Sequence, residues 1–250
     1  MGKSGILYVV GTGPGSSELM TLGAVKTLQK CPVIFYPVTQ SKSGQQKSRA
    51  LETVKGAVDL GKKILLPLEF SMRKNDSLVY EDAKEKCLAF LREGKDCAFV
   101  TIGDPSVFST AGKFASMICG AGFGAKFLAG IPSFCQAAAS ASTVLCQAEE
   151  DLHIICGDEW FFDGRLKEEL SSLDGGTKVI MKMNKSLIQI LLLTVELGIE
   201  EKCLLVQNAS MEDERIIYGK DFAAFAEILL ADESFGKESG RYFSVLICRG

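Results

Sequence analysis

The chain has 250 residues, of which 47% are hydrophobic, and its formal net charge is -3. This length and apolar content are enough for one large buried core or two smaller ones, and two domains fit the sequence better. The small negative charge, with no basic run interleaved with aromatic residues, argues against a nucleic-acid partner.

The chain opens with a strand, a glycine-rich turn and a helix. The apolar run Gly5 to Val10 predicts a buried strand, and the turn Gly11 to Gly15 follows it. Apolar residues then recur at helical spacing before Pro32, at Leu22, Val25 and Leu28. The residues from Met1 to Ile6 do not resemble a signal peptide, so we expect a cytoplasmic protein.

The first turn does not match a dinucleotide-binding fingerprint. That fingerprint needs a third glycine where Ser16 stands, and an acidic residue after the next strand, Val33 to Tyr36. Neither is present, so the turn does not indicate a nicotinamide or flavin site.

A polar segment from Val38 to Ala50 follows the second strand, and we predict a loop there. Lys42, Lys47 and Arg49 cluster within it. Two interpretations are open: a solvated surface loop, or a mobile wall that offers cations to an acidic substrate.

The remaining strands of the first half also alternate with helices. Lys63 to Leu66 predicts a third strand, and a helix starting near Ser77 turns Ala83, Cys87, Phe90 and Leu91 toward the sheet. Strands are also predicted at Cys97 to Val100 and Ala125 to Leu128. Five strands alternating with helices predict a parallel, doubly wound sheet.

A second turn, Gly103-Asp104-Pro105, follows the strand that ends at Val100. In an open α/β sheet, ligands bind at the carboxyl ends of strands, and Gly103 has no side chain to keep a ligand from the backbone. The alternative is an ordinary strand-to-helix turn, in which Pro105 opens the helix and Asp104 caps it.

The second half predicts a mixed sheet with helices. Its strands are predicted at Leu152 to Cys156, Lys178 to Met183, Cys203 to Asn208, Arg215 to Gly219 and Tyr242 to Cys248. Helical periodicity appears after Leu187 and after Phe222, and a short polar turn before Arg215 suggests a hairpin. No apolar run is long enough to span a membrane. We place the domain boundary after the Ala- and Ser-rich helix Ser133 to Ser142, giving domains 1–142 and 143–250.

The chain has nine cysteines and one histidine, and these numbers limit the metal sites that it could form. The cysteine count is odd, no CxxC pair occurs, and Cys97, Cys119, Cys156 and Cys248 sit in apolar runs. We expect buried thiols. With His153 as the only histidine, a protein metal site is not expected.

Three glycine-containing turns carry a family resemblance: Gly11-Thr12-Gly13-Pro14-Gly15, Gly103-Asp104-Pro105-Ser106-Val107-Phe108, and Ala129-Gly130-Ile131-Pro132-Ser133-Phe134. In order and spacing they resemble the GxGPG, GDPxxY or GDPxxF, and PGIxS patterns of the tetrapyrrole (corrin and porphyrin) methylases. The resemblance extends along almost all of the chain. It implies a homodimeric enzyme of two α/β domains that binds S-adenosylmethionine in a cleft between them, and a small-molecule tetrapyrrole as substrate.

The resemblance also implies roles for individual residues. It assigns to the methyl donor the residues Pro14, Ile102, Gly103, Asp104, Val107, Phe108, Ser133, Phe134, Met183 and Ala209. It assigns to the substrate the residues Gly13, Ser109 and Thr110, together with the loop cations Lys42, Lys47 and Arg49. No catalytic side chain or metal ligand is implied. Met183 has a second interpretation, as a core methionine, and Ser109 and Thr110 have another as helix-capping residues.

Within the family, the run from Gly103 to Thr110 resembles the branch that methylates the C-20 bridging carbon of a precorrin. Gly130 to Phe134 and the acidic turn Met211 to Ile216 also resemble that branch. Other tetrapyrrole branches, a diphthine synthase-like protein methylase and a non-catalytic donor-binding protein are the alternatives.

Three positions depart from the family patterns. Proline stands at Pro132 rather than before Gly130, Phe108 lacks a phenolic hydroxyl, and Asn184 replaces the glycine usual after the methionine of the second-domain strand. Asn184 tolerates a left-handed backbone better than most residues.

Overall fold

The computed structural model describes residues 4–40, 46–69, 77–173, 176–231 and 243–250. The chain divides into two compact units between Pro132 and Ser133. This division lies ten residues before the predicted domain boundary, because the helix that begins at Ser133 packs within the second unit. The boundary at residues 142 and 143 stays a prediction.

The first unit contains a sheet with helices on both faces. Its strands are β1 (Leu7–Gly11), β2 (Val33–Gln40), β3 (Gln46–Lys47), β4 (Ile64–Glu69), β5 (Cys97–Thr101) and β6 (Ala125–Leu128). Its helices are α1 (Leu22–Lys30), α2 (Arg49–Lys55), α3 (Ser77–Arg92) and α4 (Ala111–Gly120). Five strands are parallel in the order β4-β2-β5-β1-β6, and β3 pairs antiparallel with the end of β2. The predicted parallel, doubly wound sheet is confirmed.

Alternate residues of the strands build two cores, one on each face of this sheet. Val9, Phe35 and Phe99 pack with α3 and α4, and the ring of Phe114 lies 5.2 Å from that of Phe99 between centroids. The neighbouring residues along the same strands pack with α1 and α2, as Val10, Ile34 and Val100 do. Because side chains alternate across a strand, burial on both faces requires the near-continuous apolar runs seen in the sequence.

The predicted loop from Val38 to Ala50 is partly wrong. Strand β2 continues through Pro37 to Gln40, and helix α2 begins at Arg49. Proline is tolerated within this strand because Pro37 pairs with β4 alone, after the pairing with β5 has ended at Phe35. Residues 41–45 of the predicted loop lie outside the described residues.

One helix prediction and one alternative interpretation in the first unit also need correction. Leu22 is 75% exposed, and the buried face of α1 is formed by Ala24 and Leu28. Helix α4 begins at Ala111 rather than Pro105, because Phe108 has a φ of 44°. That left-handed backbone is incompatible with an α-helix at this point.

The second unit is a mixed sheet with helices, as predicted. Its strands are β7 (Asp151–Cys156), β8 (Gly176–Met181), β9 (Cys203–Gln207), β10 (Arg215–Tyr218) and β11 (Ser244–Arg249). Its helices are α5 (Ser133–Ser140), α6 (Gly157–Phe162), α7 (Arg165–Ser171), α8 (Leu187–Glu196) and α9 (Phe222–Ala231). The strand order is β10-β9-β11-β8-β7, with only β7 and β8 parallel. The β9–β10 hairpin is confirmed.

One apolar core lies between this sheet and helices α7, α8 and α9, around Leu170, Leu191 and Phe222. Among the described residues, no helix combines the length and the apolar character needed to cross a bilayer.

All nine cysteines are free thiols, but they are not all buried as expected. Cys119 and Cys135 are exposed, while Cys146 and Cys156 are partly exposed. Cys119 lies near the end of α4, where only one face of the helix meets the sheet. For Cys31, burial raises the thiol pKa to about 12, so that this thiol stays protonated at neutral pH.

Candidate functional site

The three glycine turns of the first unit meet at one edge of its sheet. Strand β1 lies between β5 and β6 and is parallel to both. The turn after each strand therefore leaves the same edge of the sheet, which is where α/β proteins bind ligands.

Main-chain contacts join the first two turns directly. Gly103 N donates to Gly13 O at 2.8 Å, and Gly13 N donates to Gly103 O at 3.3 Å. Both glycines have positive φ, of 76° for Gly13 and 73° for Gly103, which glycine adopts without strain. The predicted donor residue Gly103 and the predicted substrate residue Gly13 thus form one small antiparallel bridge.

The third turn packs against the other two without room for a side chain. A Cβ atom on Gly130 would lie 2.2 Å from Gly103 O and 2.9 Å from the carbonyl carbon of Gly11. A Cβ atom on Gly11 would lie 2.6 Å from Gly103 O. Gly11 and Gly130 leave no room for a side chain because the backbones of the three turns touch there.

Asp104 fastens this cluster through its carboxylate. Its Oδ2 accepts from Gly130 N at 2.9 Å, and its Oδ1 accepts from Ser106 N at 2.8 Å and from the Ser106 hydroxyl. Partial burial disfavours the charged form, but the hydrogen bonds from Ser106 and Gly130 outweigh it and hold the pKa of Asp104 below its usual value. Asp104 does not cap a helix, as the alternative interpretation had it, but joins the second turn to the third.

The residues that follow Asp104 form an irregular turn before α4. Ile102 and Val107 are half-buried, whereas Phe108 is 41% exposed. The Ser109 hydroxyl lies 3.2 Å from that of Thr101 and accepts from Ala111 N, which agrees with the helix-capping interpretation. Thr110 is exposed and precedes α4 without a side-chain cap.

Helix α2 begins at Arg49, one of the three predicted substrate cations, and is hydrogen-bonded to the first turn. Thr53 Oγ1 donates to Gly15 O at 2.8 Å and to Arg49 O at 2.9 Å, so the start of α2 lies close to the turn that contains the buried Pro14. Arg49 is the first residue of α2, and Lys47 is exposed in β3. Lys42 lies outside the described residues.

The donor candidates of the second unit group at one edge of its sheet. Strands β8 and β9 both run antiparallel to β11, so both end at the same edge, where Met183 and Ala209 follow them. Both residues are buried, and Met183 belongs to the core, where its Cγ would lie 2.5 Å from a Cβ on Gly157. The left-handed residue beside Met183 is Lys182, with φ 57°, so the tolerance of Asn184 for that conformation is not used.

Glu214, whose role the sequence analysis did not foresee, joins this edge to helix α5. Its Oε2 accepts from Ser210 N at 2.6 Å and from Ser140 Oγ at 2.7 Å. Ser133 and Phe134 begin the same helix, and Phe134 is buried. The acidic turn noted in the sequence therefore fixes the segment that contains Ala209.

Asn208 is the second residue that sequence reasoning missed. It is buried, has φ 52°, and donates from Nδ2 to Asp213 Oδ2 at 2.8 Å. Its Oδ1 atom is buried and has no hydrogen-bond partner among the described residues. Because a buried oxygen without a hydrogen bond is energetically costly, Asn208 Oδ1 is a candidate acceptor for a donor group of a ligand beside Ala209.

The only histidine of the chain belongs to a cluster of charged side chains in the second unit. His153 Nδ1 lies 2.7 Å from Glu169 Oε1, and Lys178 Nζ lies 2.9 Å from the same oxygen. Burial disfavours charge on Glu169, yet its hydrogen bonds to Lys178 and His153 outweigh that effect and lower its pKa. His153 is half-exposed although its neighbours in the sequence are apolar.

Comparisons with known proteins agree with the motifs. A Methanocaldococcus jannaschii protein named a probable cobalt-precorrin-2 C(20)-methyltransferase is 34% identical over 218 residues, which cover 86% of this chain and 87% of that protein. The cobalt-precorrin-2 C(20)-methyltransferase of Salmonella typhimurium is 25% identical over 216 residues, covering 85% and 87% of the two chains.

A solved structure shares the fold. The uroporphyrin-III C-methyltransferase of Thermus thermophilus, solved in complex with S-adenosylhomocysteine, has a TM-score of 0.63 and 19% identity, covering 98% of this chain and 97% of that one. The family model of the Tetrapyrrole (Corrin/Porphyrin) Methylases matches residues 6–221. Because that match includes all three interlocked turns and most of both units, the chain belongs to the tetrapyrrole methylases.

Proposed function

We infer that this protein transfers a methyl group from S-adenosylmethionine to the C-20 bridging carbon of precorrin-2 or of its cobalt-bearing counterpart. The observation that supports this most strongly is the interlocked cluster of Gly13, Gly103 and Gly130, fastened by Asp104, in a chain 34% identical to a relative named for that reaction. The run from Gly103 to Thr110 favours the same branch over its sisters.

The residues of both units fit the proposed donor. The turns of the first unit lie at the carboxyl edge of the sheet, and the absence of side chains at Gly11 and Gly130 lets their backbones pack closely there. In the second unit, the unpartnered Oδ1 of Asn208 lies beside Ala209, and an adenine amino group is a donor of the kind it lacks. We assign the methionine part of the donor to the turn at Gly103 and Asp104, and the adenosine part to Ser133, Phe134, Met183 and Ala209.

When bound, S-adenosylmethionine would supply a methyl group on a positively charged sulfur. A carbon nucleophile could take this methyl group directly, with the neutral thioether S-adenosylhomocysteine as the leaving group. The task left to the protein is to align the two reactants and exclude water, which can provide most of the rate of such a reaction. A rigid main-chain cluster suits this task. Asp104 is a poor general base at neutral pH because its pKa is held low, and we assign it to holding the turns in place.

The proposed substrate has many carboxylate side chains, whereas the chain has a net charge of -3. Local cations must therefore bind them. We assign this role to Arg49, which begins the helix that is hydrogen-bonded to the first turn through Thr53, and to Lys47, which is exposed in β3 just before that helix.

The test is to incubate the protein with labelled S-adenosylmethionine and, separately, precorrin-2, cobalt-factor II and uroporphyrinogen III. We expect a product with precorrin-2 or cobalt-factor II, with the label at C-20 by NMR. A label at another carbon, or product from uroporphyrinogen III alone, would assign the chain to a sister branch. Donor binding without any methyl transfer would favour a binding protein instead.

A further inference from the structure

Phe108 combines two features that rarely occur together. Its φ of 44° lies in the left-handed region, which is unfavourable for a residue with a bulky side chain. Phe108 is also 41% exposed as a residue, so burial does not explain why the conformation is retained.

Hydrogen bonds on both sides of Phe108 hold it in this conformation. On one side, Ser106 is bonded to Asp104, which is bonded in turn to Gly130 N. On the other side, the Ser109 hydroxyl contacts Thr101 and accepts from Ala111 N at the start of α4. A strained residue persists where its surroundings determine its position this fully, and such residues concentrate at ligand sites.

We propose that the exposed ring of Phe108 is a stacking surface for the flat face of the tetrapyrrole. This assignment rests on the proposed function and changes one part of it, since the family resemblance placed Phe108 with the methyl donor. A phenyl ring offers no hydrogen bond to the charged ends of the donor, whereas a large conjugated macrocycle stacks well on an aromatic face. The adenine, the flat part of the donor, is assigned to residues of the second unit.

Two substitutions separate the ring from the strain. Phe108→Ala removes the ring and keeps a Cβ atom at positive φ, whereas Phe108→Gly removes both. We expect both variants to raise the KM or Kd for the tetrapyrrole about tenfold, the loss that corresponds to one aromatic stacking contact of ordinary strength. Phe108→Tyr keeps the ring and should bind as the wild type does.

The alanine and glycine variants of Phe108 should also differ in stability. At most positions glycine is less favourable than alanine, but at residue 108 we expect the reverse. We expect the glycine variant to melt about 2 °C or more above the alanine variant, because only glycine relieves the strained backbone. The matched control is Phe127→Ala, which removes the aromatic ring of a residue that is 51% exposed on the edge strand β6 and takes no part in the hydrogen bonds that join the turns. It should leave tetrapyrrole binding unchanged.

Binding of cobalt-factor II is measured by absorbance titration, and binding of S-adenosylhomocysteine by calorimetry. Wild-type affinity for cobalt-factor II in both the alanine and the glycine variant would overturn the proposal, as would a loss confined to S-adenosylhomocysteine. If the wild type itself binds the donor but no tetrapyrrole, the proposed function fails, and the assignment of Phe108 fails with it.

Discussion

Asp104→Asn tests whether the carboxylate holds the second and third turns together. Asparagine keeps one oxygen that can accept from Ser106, but its amide nitrogen cannot accept from Gly130 N, which donates to Asp104 Oδ2 at 2.9 Å in the native protein. The substitution therefore removes one charge-assisted hydrogen bond. It also places the amide NH2 group of the asparagine next to Gly130 N–H, so that two hydrogen-bond donors face each other.

The expected loss follows from this contact. A hydrogen bond to a charged partner contributes about 1.5–3 kcal/mol to the free energy of unfolding, and Asp104→Ala, which also removes both bonds from Ser106, should cost about 3–5 kcal/mol. For a chain of this size, the asparagine variant should melt about 3–12 °C below the wild type. Donor binding should weaken in parallel, because the turn at Gly103 is no longer fixed.

The loss of stability caused by Asp104→Asn should depend on pH. The pKa of Asp104 is lowered in the folded protein, so its contribution to stability is complete above the ordinary aspartate pKa of about 4 and is lost as the pH falls through the lower folded value. The difference in melting temperature between wild type and Asp104→Asn should therefore be constant near neutral pH and shrink in acid.

Calorimetry of both proteins between neutral and acidic pH measures this difference. The control is Asp163→Asn, since Asp163 pairs with Arg165 on the exposed surface and should change the melting temperature little. Equal melting temperatures for Asp104→Asn and wild type at neutral pH would refute the role assigned to Asp104.

Three further predictions concern the turns, the cations and the assembly. Gly130→Ala should destabilise the protein by about 1–3 kcal/mol or more in urea unfolding, because its Cβ would lie 2.2 Å from Gly103 O, whereas Gly112→Ala, with nothing within 4 Å, should be neutral or slightly stabilising. Arg49→Ala should raise the KM for the tetrapyrrole several-fold and leave donor affinity unchanged, while the exposed Arg92→Ala at the end of α3 should change neither; equal kinetics for the two variants would contradict the role of Arg49. Light scattering should return the mass of a homodimer at micromolar concentration, and a stable monomer would contradict this prediction.

The elements that sequence reasoning located well are those with strong patterning. Strand β6 occupies the predicted residues Ala125 to Leu128, and the buried positions Ala83, Cys87 and Leu91 of α3 match the helical period. In both cases an apolar pattern determines the element without help from distant residues.

The elements that were missed depend on contacts that the pattern does not reveal. Helices α6 and α7 are six and seven residues long, too short for a clear period, and Gly164 separates them with φ 85°. The late start of α4 depends on Asp104, which bonds to Ser106 and to Gly130 instead of capping a helix at Pro105. A partner 26 residues away cannot be read from local periodicity.

In the candidate site too, features with a distinctive local sequence were predicted, and features that depend on distant contacts were not. The three glycine turns were predicted because their spacing is distinctive, and the structure brings them together at one strand edge. The bonds of Glu214 to Ser140 and Ser210 were not predicted, since Glu214 is one of several acidic residues in its turn and only the fold selects it.

The central position of β1 has a consequence for synthesis of the protein. Leu7 pairs with Cys97 on one side and with Ala125 on the other, so the earliest strand of this sheet in the chain pairs with the two strands of the sheet that are made last. At ordinary elongation rates, β1 waits about 6–24 s for both neighbours, and its apolar residues stay without their native cover during that time. Nascent chains that end before β5 should therefore bind chaperones and be degraded readily, whereas chains that extend past β6 can close the sheet around β1.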